Sequence, residues 1–418
     1  MAANAPTLFV NASVYDGDDD LHRGMQVLVA QGRIEAVTGR TVRTPAQCEV
    51  IDLRGRTLMP GLIDAHVHVW LADLDLGRAM RRRYPYIAAF AFRTLARMLN
   101  RGFTTVRDAG GTDVGFASAL QAGLQRGPRL LHAGRFISQT GGHFDARRAD
   151  EVDMACGCQG GAARFACIAD GVDEVRRAVR EEARKGAHHI KLAASGGVAS
   201  PTDPLDRMQF SDDEIRVAVE EAHRHGIYVM AHCFPAAGIK RCAQLGVRSI
   251  EHGFFIDDEA ATAVAAADAY VVPTMATVWA LVEDGAHQGL PPASQEKAHE
   301  LARGVLHGLD IMRSHDLKIG FGTDLLGPQQ DRQVTEFALR AQIFTPNEIL
   351  RSATRVNAEI LRMEAQLGRV AEGFIADLIV VDGNPLEDLA LLSEPEGGHI
   401  PLVMQNGEIV KRDGRPAG

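Results

Sequence analysis

No apolar run in the chain approaches the ~18 residues that a membrane span needs. Met1 to Pro6 carry neither a basic n-region nor an apolar h-region, so no secretory signal is expected. Cysteine is scarce: six in 418 residues do not make a disulfide scaffold. Cys156, Cys158 and Cys167 cluster in a Gly-rich loop. A structural zinc there would need a further ligand that the neighbourhood does not supply, so loose thiols are expected. Cys233 and Cys242 fall in strand-like and helix-like stretches and read as buried thiols. Basic excess is absent as well. The formal charge of -9 argues against a nucleic-acid surface. The Arg-rich run from Arg78 to Arg83 reads as a solvated helix face or a local anion contact. These absences lead to the expectation of a cytoplasmic protein with neither membrane nor nucleic acid as a partner.

What is present is ordinary globular composition, 46% apolar and 24% charged, in a chain long enough for one large barrel and a small second domain. One stretch organises the rest: Gly61-Leu62-Ile63-Asp64-Ala65-His66-Val67-His68. It reads as a buried strand ending in two histidines. Alternate side chains of a strand share a face, so Asp64, His66 and His68 point the same way. Two imidazoles on one face at a strand end make half a metal site.

The ends of the chain are β-rich. Residues 7–14 and 26–37 look like strands, the second broken into a hairpin at Gln31-Gly32-Arg33, and 51–58 continues the pattern. A similar pattern returns at 376–381, 402–405 and 408–411, with Asn406-Gly407 as a tight turn. Both ends together, 1–57 plus 369–418, are expected to form one small β-sandwich domain. The middle, 58–368, alternates apolar strands with helical segments, which reads as repeated βα units and a parallel sheet. Candidate strands are 62–69, 103–108, 129–136, 188–194, 227–233, 248–252, 270–275 and 318–323. Helices are expected at 86–100, 113–126, 172–185, 211–225, 236–245, 257–267 and 294–315. The fold class is therefore α/β, a (β/α)8 TIM barrel.

In such barrels the chemistry sits at the C-terminal ends of the strands. The ligand-type residues fall there. Strand 1 ends in His66 and His68, strand 4 (HHIKLAAS) carries Lys191, and strand 5 (IYVMAHC) ends in His232. Strand 6 (RSIEHG) ends in His252 and strand 8 (KIGFGTD) in Asp324. His189 shares the Lys191 face and His188 points away. His223 and His225 sit at a helix end, where solvated cations are favourable. His287, His307 and His315 lie in or near helices and carry no functional reading.

With these residues in view, the chain resembles the amidohydrolase superfamily. The likeness runs from 57 to 383: TLMPGLIDAHVH, the strand-4 lysine, the strand-5 and strand-6 histidines, GTD on strand 8 and a closing ADLIVVDGNP. It is most similar to the branch that holds imidazolonepropionase-like proteins, metal-dependent Xaa-Pro and Xaa-Arg dipeptidases, and ochratoxin-hydrolysing amidohydrolases. SQTGGHFD (138–145), KLAASGGVASPTDPLDRMQFSDDEI (191–215) and GVRSIEHGFFID (246–257) carry that narrower likeness.

The resemblance implies a binuclear centre of two divalent ions, zinc by default. His66 and His68 would bind one ion and His232 and His252 the other. Lys191, carboxylated by carbon dioxide, would bridge them as its carbamate. Asp324 would bind the first ion and shuttle a proton. The implied reaction is amide hydrolysis by a metal-bridging hydroxide. A lysine facing two cations should lose its proton readily, and the free amine is the form that reacts. His143, in the Gly-rich loop after strand 3, resembles the residue that contacts the substrate carbonyl or carboxylate. Relatives are commonly homo-oligomers.

The resemblance has one departure. Dipeptidase relatives often carry a tyrosine two residues after the strand-5 histidine, whereas this chain has Phe234, which donates no hydrogen bond. Tyr228 lies on the same strand but ~13 Å deeper, at ~3.3 Å per residue, and is no replacement. The favoured substrate is a small N-acyl amino acid or dipeptide with a free carboxylate, including aromatic conjugates of the ochratoxin type. Arg207 is the candidate carboxylate partner. Alternatives are a cyclic amide or lactam hydrolase of imidazolonepropionase type, a mononuclear deaminase, which Lys191 counts against, and a non-catalytic metal-binding scaffold. The loops that would set leaving-group preference (70–85, 137–170, 276–293 and 325–333) are long.

Overall fold

Two tight turns tie the ends of the chain together. Gln31-Gly32 and Asn406-Gly407 both adopt left-handed φ at their two central positions, the conformation a two-residue hairpin needs. They close the hairpins Leu21–Ala30/Arg33–Thr38 and Leu402–Gln405/Glu408–Arg412. The turns also abut. A Cβ at Gly407 would lie 2.7 Å from the Gly32 Cα, so glycine is required there by contact as well as by φ.

The computed structural model of the chain describes residues 5–18, 21–145, 147, 165–200 and 203–417. Both termini enter one nine-stranded mixed sheet. Its seam is Thr57–Pro60, which pairs parallel with Thr7–Tyr15 and antiparallel with Leu378–Val381. Phe9, Val14, Val27, Leu58, Leu378 and Val380 form the apolar core beneath it. Each such side chain, fully buried, stabilises by roughly 1.5–3 kcal/mol. Among the described residues no helix is long and apolar enough to cross a membrane.

The middle of the chain is the barrel. Strand 1 (Leu62–Val67) pairs parallel with strand 2 (Phe103–Asp108), and strand 2 with the first part of strand 3 (Arg129–His132). Strand 3 then breaks, and its second part (Phe136–Ser138) pairs with strand 4 (His189–Ala193). Strands 5 (Tyr228–Pro235), 6 (Ser249–Phe255), 7 (Tyr270–Val272) and 8 (Lys318–Ile319) follow in parallel order. The ring closes by backbone bonds from Ala65 N–H to Phe321 O and from Asp324 N–H to His66 O, each 2.8 Å. Strands 7 and 8 are shorter than their apolar runs, because beyond them the chain turns away to build the rim.

The expected helices lie close to where the pattern places them, but the structure differs along the rim and after strand 8, where Leu76–Arg81, Thr335–Arg340 and Pro346–Arg351 are further helices. Residues 276–293, expected as a loop, contain the helix Met275–Asp284. The single helix expected over 294–315 is two, Pro292–Ala302 and Val305–Ser314. Gly304 sits at the break, where a Cβ would meet the Phe255 ring at 2.9 Å. Arg78 and Arg82 of the Arg-rich run are about half exposed and pair with Asp73.

Candidate metal centre

The expected residues converge at the C-terminal mouth of the barrel. His66, His68, Lys191, His232, His252 and Asp324 all line one cavity, and His143 joins them. The imidazoles of His66 and His252 are 5.0 Å apart between centroids, and those of His232 and His252 4.7 Å. Ligand atoms of His66, His252 and Asp324 lie within 4.8 Å of one another.

Each of the four strand-end imidazoles has one nitrogen committed elsewhere. His66 donates from Nδ1 to Glu251 Oε2 at 2.7 Å. His68 donates from Nδ1 to Gly110 O at 3.2 Å, and His232 from Nε2 to Gly196 O at 2.9 Å. His252 Nδ1 lies 2.7 Å from Thr274 Oγ1. For His66, His68 and His232, whose partners only accept, the second nitrogen is left as a lone pair, the arrangement found around histidines that ligate a metal; the Thr274 hydroxyl can accept from His252 Nδ1 in the same way. His66 Nε2 is buried with no hydrogen-bond partner. Such an orphaned acceptor is costly unless something cationic meets it.

The electrostatics agree. Burial pushes His143, His232 and His252 well below the usual imidazole range, so they are neutral near pH 7. Burial also lowers Lys191 to about 8, although Glu251 and Asp324 act against it. Its amine has no hydrogen bond or ion pair among the described residues and lies over the Phe136 ring at 5.4 Å. Asp324 stays ionised: burial works to raise it, but the neighbouring His66, His68 and His252 hold it well below the usual carboxylate range. One of its oxygens is 3.3 Å from Nε2 of both His66 and His68. Imidazoles with open nitrogens, one carboxylate and a deprotonatable lysine fit divalent cations.

Backbone strain concentrates here. His252 and Asp324 have φ of 70° and 54°, left-handed values that non-glycine residues rarely adopt. Such strain costs of order 1–3 kcal/mol and persists where the surroundings over-determine it. At His252 the turn breaks strand alternation. Glu251 therefore faces the barrel interior while the next residue, His252, still reaches the cavity.

The family model described as "Amidohydrolase family" matches residues 57–410. The chain belongs to the amidohydrolase family. An ochratoxinase from Aspergillus niger is 33% identical over 369 residues, 85% of this chain and 76% of that protein. An imidazolonepropionase from Salinispora tropica is 25% identical over 435 residues, 97% of each chain. A crystal structure of a prolidase complexed with N-methylphosphonate-L-proline is 44% identical, with a TM-score of 0.95 over 98% of this chain and 100% of that one. This amidohydrolase is thus a hydrolase acting on amide bonds, in the branch its motifs resemble.

Other expected residues fall in different places. His143 is buried, with Nδ1 2.6 Å from Ser200 Oγ and its ring stacked on His232 at 4.3 Å. A Cβ at Gly197 would sit 2.2 Å from that ring, so only glycine allows the approach. Arg207 is not brought to the cavity. It is exposed, and its backbone alone is engaged among the described residues: its carbonyl accepts from Gly196 N–H at 2.9 Å and its N–H donates to Pro204 O at 3.2 Å. Cys167 is half-buried, while Cys156 and Cys158 lie outside the described residues. Cys233 and Cys242 are buried thiols.

Sequence reasoning missed the supports beneath the site. Glu251 binds His66 and takes both NH2 contacts of Arg107, at 2.9 and 3.1 Å. Arg107 also donates to Ala65 O and Ser249 Oγ. Asp64 accepts from Thr323 Oγ1 at 2.7 Å and Gln333 Nε2 at 2.9 Å, which fixes the strand-8 turn before Asp324. Arginine and glutamate in apolar strands were a usable signal, since buried charges persist only when paired.

Proposed function

We propose that this amidohydrolase cleaves a small N-acyl amino acid or dipeptide at a binuclear centre. The ligands are His66, His68, His232, His252, Asp324 and Lys191 as its carbamate. Zinc is the default ion for such a set. The observation that carries this reading is the four imidazoles with committed outer nitrogens, converging on Asp324 beside the buried Lys191 amine.

When bound, the ions would polarise the scissile carbonyl and acidify an attacking water. The chain's own residues do the rest. Asp324, partly open to the cavity, accepts the proton of that water and passes it to the leaving nitrogen. His143, neutral and held by Ser200, is placed to meet the substrate carbonyl or carboxylate. The outer wall is apolar: Leu71, Phe234, Phe254, Val278, Leu281 and Leu301. Such a wall favours an apolar acyl group or side chain over a charged one. The ochratoxinase and prolidase likenesses support amide substrates. A cytoplasmic homo-oligomer completes the proposal, checked by fractionation of the source cells and by light scattering.

Two observations favour a second reading, a cyclic amide or lactam. Phe234 supplies no hydroxyl, and among the described residues Lys191 is the only lysine or arginine lining the cavity. The deciding experiment is amino-acid release from a panel of dipeptides and N-acyl amino acids, with protein loaded with zinc and bicarbonate. Turnover of one class supports the first reading. Silence across the panel with two metals bound transfers the assignment to the cyclic amide.

Lys191 allows a separate check. Only the free amine forms a carbamate, and with the group at about 8 roughly a tenth is free at pH 7. Reactivation of metal-stripped protein by zinc is expected to quicken as pH rises from 7 to 9 when dissolved carbon dioxide, the species the free amine attacks, is held at a fixed concentration. Lys191→Ala should lose most bound metal and activity. Full activity in that variant would remove the bridging role.

A further inference from the structure

The helix Pro292–Ala302 comes from the rim after strand 7, yet it is bolted to the loop after strand 4. Lys297 makes the attachment. Its ammonium donates to the backbone carbonyls of Gly197 at 2.9 Å, Ser200 at 3.0 Å and Asp203 at 2.6 Å. Three N–H donors of one ammonium thus meet three acceptors, which matches the full donor count of lysine. The Asp203 carboxylate lies 3.6 Å away and is fully buried, and the lysine side chain is only 16% exposed.

The same loop carries the supports of two site residues. Ser200 Oγ holds His143 Nδ1, Asp203 Oδ2 lies 3.8 Å from that nitrogen, and Gly197 packs against the ring. Gly196 O receives the Nε2–H of His232, which fixes that imidazole's tautomer. Val198 and Ala199 of the loop face the cavity together with Ala298 and Leu301 of the helix. Without Lys297, the carbonyls of Gly197, Ser200 and Asp203 would lose their buried donor.

We propose that Lys297 is a positioning residue, acting through the strand-4 loop to hold His143 and His232 in place. It touches neither of them. Its reach comes from fixing the carbonyls of Gly197, next to the Gly196 that holds His232, and of Ser200, whose hydroxyl holds His143. The inference rests on the metal reading above only for its effect on His232. The His143 side stands without it.

The test is Lys297→Met, which keeps the aliphatic stem and removes the donors. Lys240→Met, at an exposed ion pair with Glu259, is the control. Circular dichroism and thermal melting identify folded protein. If Lys297→Met fails to fold, Lys297→Gln, which retains two donors, takes its place. Competition with a chelator reads zinc affinity, and amide hydrogen exchange reads peptides covering 195–210. Losing the outer contact of a metal ligand costs 10–100-fold in affinity, and Lys297 acts one contact further out, which puts its effect at the low end of that range. Zinc is therefore expected to bind about 10-fold or more weakly in folded Lys297→Met, with faster exchange at 196–200 and no change in Lys240→Met. Affinity within twofold of the parent and unaltered exchange would overturn the proposal. If the parent binds no zinc, the metal reading fails by itself, and exchange at 196–200 still decides the role of Lys297. For any substrate the panel identifies, a double cycle of Lys297→Met with Ser200→Ala should be strongly non-additive in kcat/KM. Additive losses would show two unconnected effects and also overturn it.

Discussion

Asp324→Asn is expected to keep the fold and lose on the order of 10²–10⁴ in kcat, the usual contribution of a positioned acid–base group. Asparagine preserves shape and one acceptor oxygen but takes no proton. On the proposed reading Asp324 moves the proton from water to the leaving nitrogen. The geometry suits this: its carboxylate oxygen is 3.3 Å from both strand-1 imidazoles, and 18% of the side chain is open to the cavity. It is ionised across the working range, because the surrounding imidazoles outweigh burial. The loss should fall on kcat more than on KM, since a proton transfer is made only in the transition state. Turnover within a few-fold of the parent, with metal retained, would remove the shuttle role. Loss of metal together with activity would assign Asp324 to binding first.

Arg107→Met is expected to cost about 3–5 kcal/mol, as removing one partner of a buried ion pair does. Arg107 and Glu251 are both fully buried, so neither charge has water to fall back on. For a chain of this length the cost corresponds to a drop in the melting midpoint on the order of 3–6 °C. The pH dependence carries a sign. Burial works to raise the Glu251 carboxyl, but Arg107 and His66 overcome it and hold it at about 2. A carboxyl depressed on folding contributes stability that is present above its unfolded pKa, ~4.5, and lost as pH falls through the folded value. In Arg107→Met burial prevails, so acid unfolding should begin at a higher pH. The double variant Arg107→Met, Glu251→Gln should recover part of the loss, because it removes the stranded anion. Acid titration followed by circular dichroism measures all three. Equal acid midpoints in parent and single variant would show that Glu251 does not depend on Arg107.

These two variants separate functions that share one site. Asp324 faces the cavity, whereas Arg107 and Glu251 lie one residue layer beneath it. Through Glu251 the lower layer fixes which nitrogen of His66 is open, so the upper layer inherits its chemistry from a pair that never meets substrate.

By itself the sequence determined the barrel, the terminal β domain and the set of polar strand ends. These are legible because they rest on local periodicity: βα alternation, tight-turn residues such as Asn406-Gly407, and histidines that close apolar runs. The rim was not legible in the same way. Met275–Asp284 is helical where a loop is expected, and Arg207 faces solvent where a substrate partner is expected. Rim geometry depends on packing between segments far apart in the chain, and no local pattern encodes it. Tertiary structure alone decided the supports. Glu251 meets His66 across 185 residues, and Lys297 meets Gly197 across 100. A buried charge announces that it needs a partner. Only the closed barrel, which brings distant strands within hydrogen-bond reach, names which partner it has.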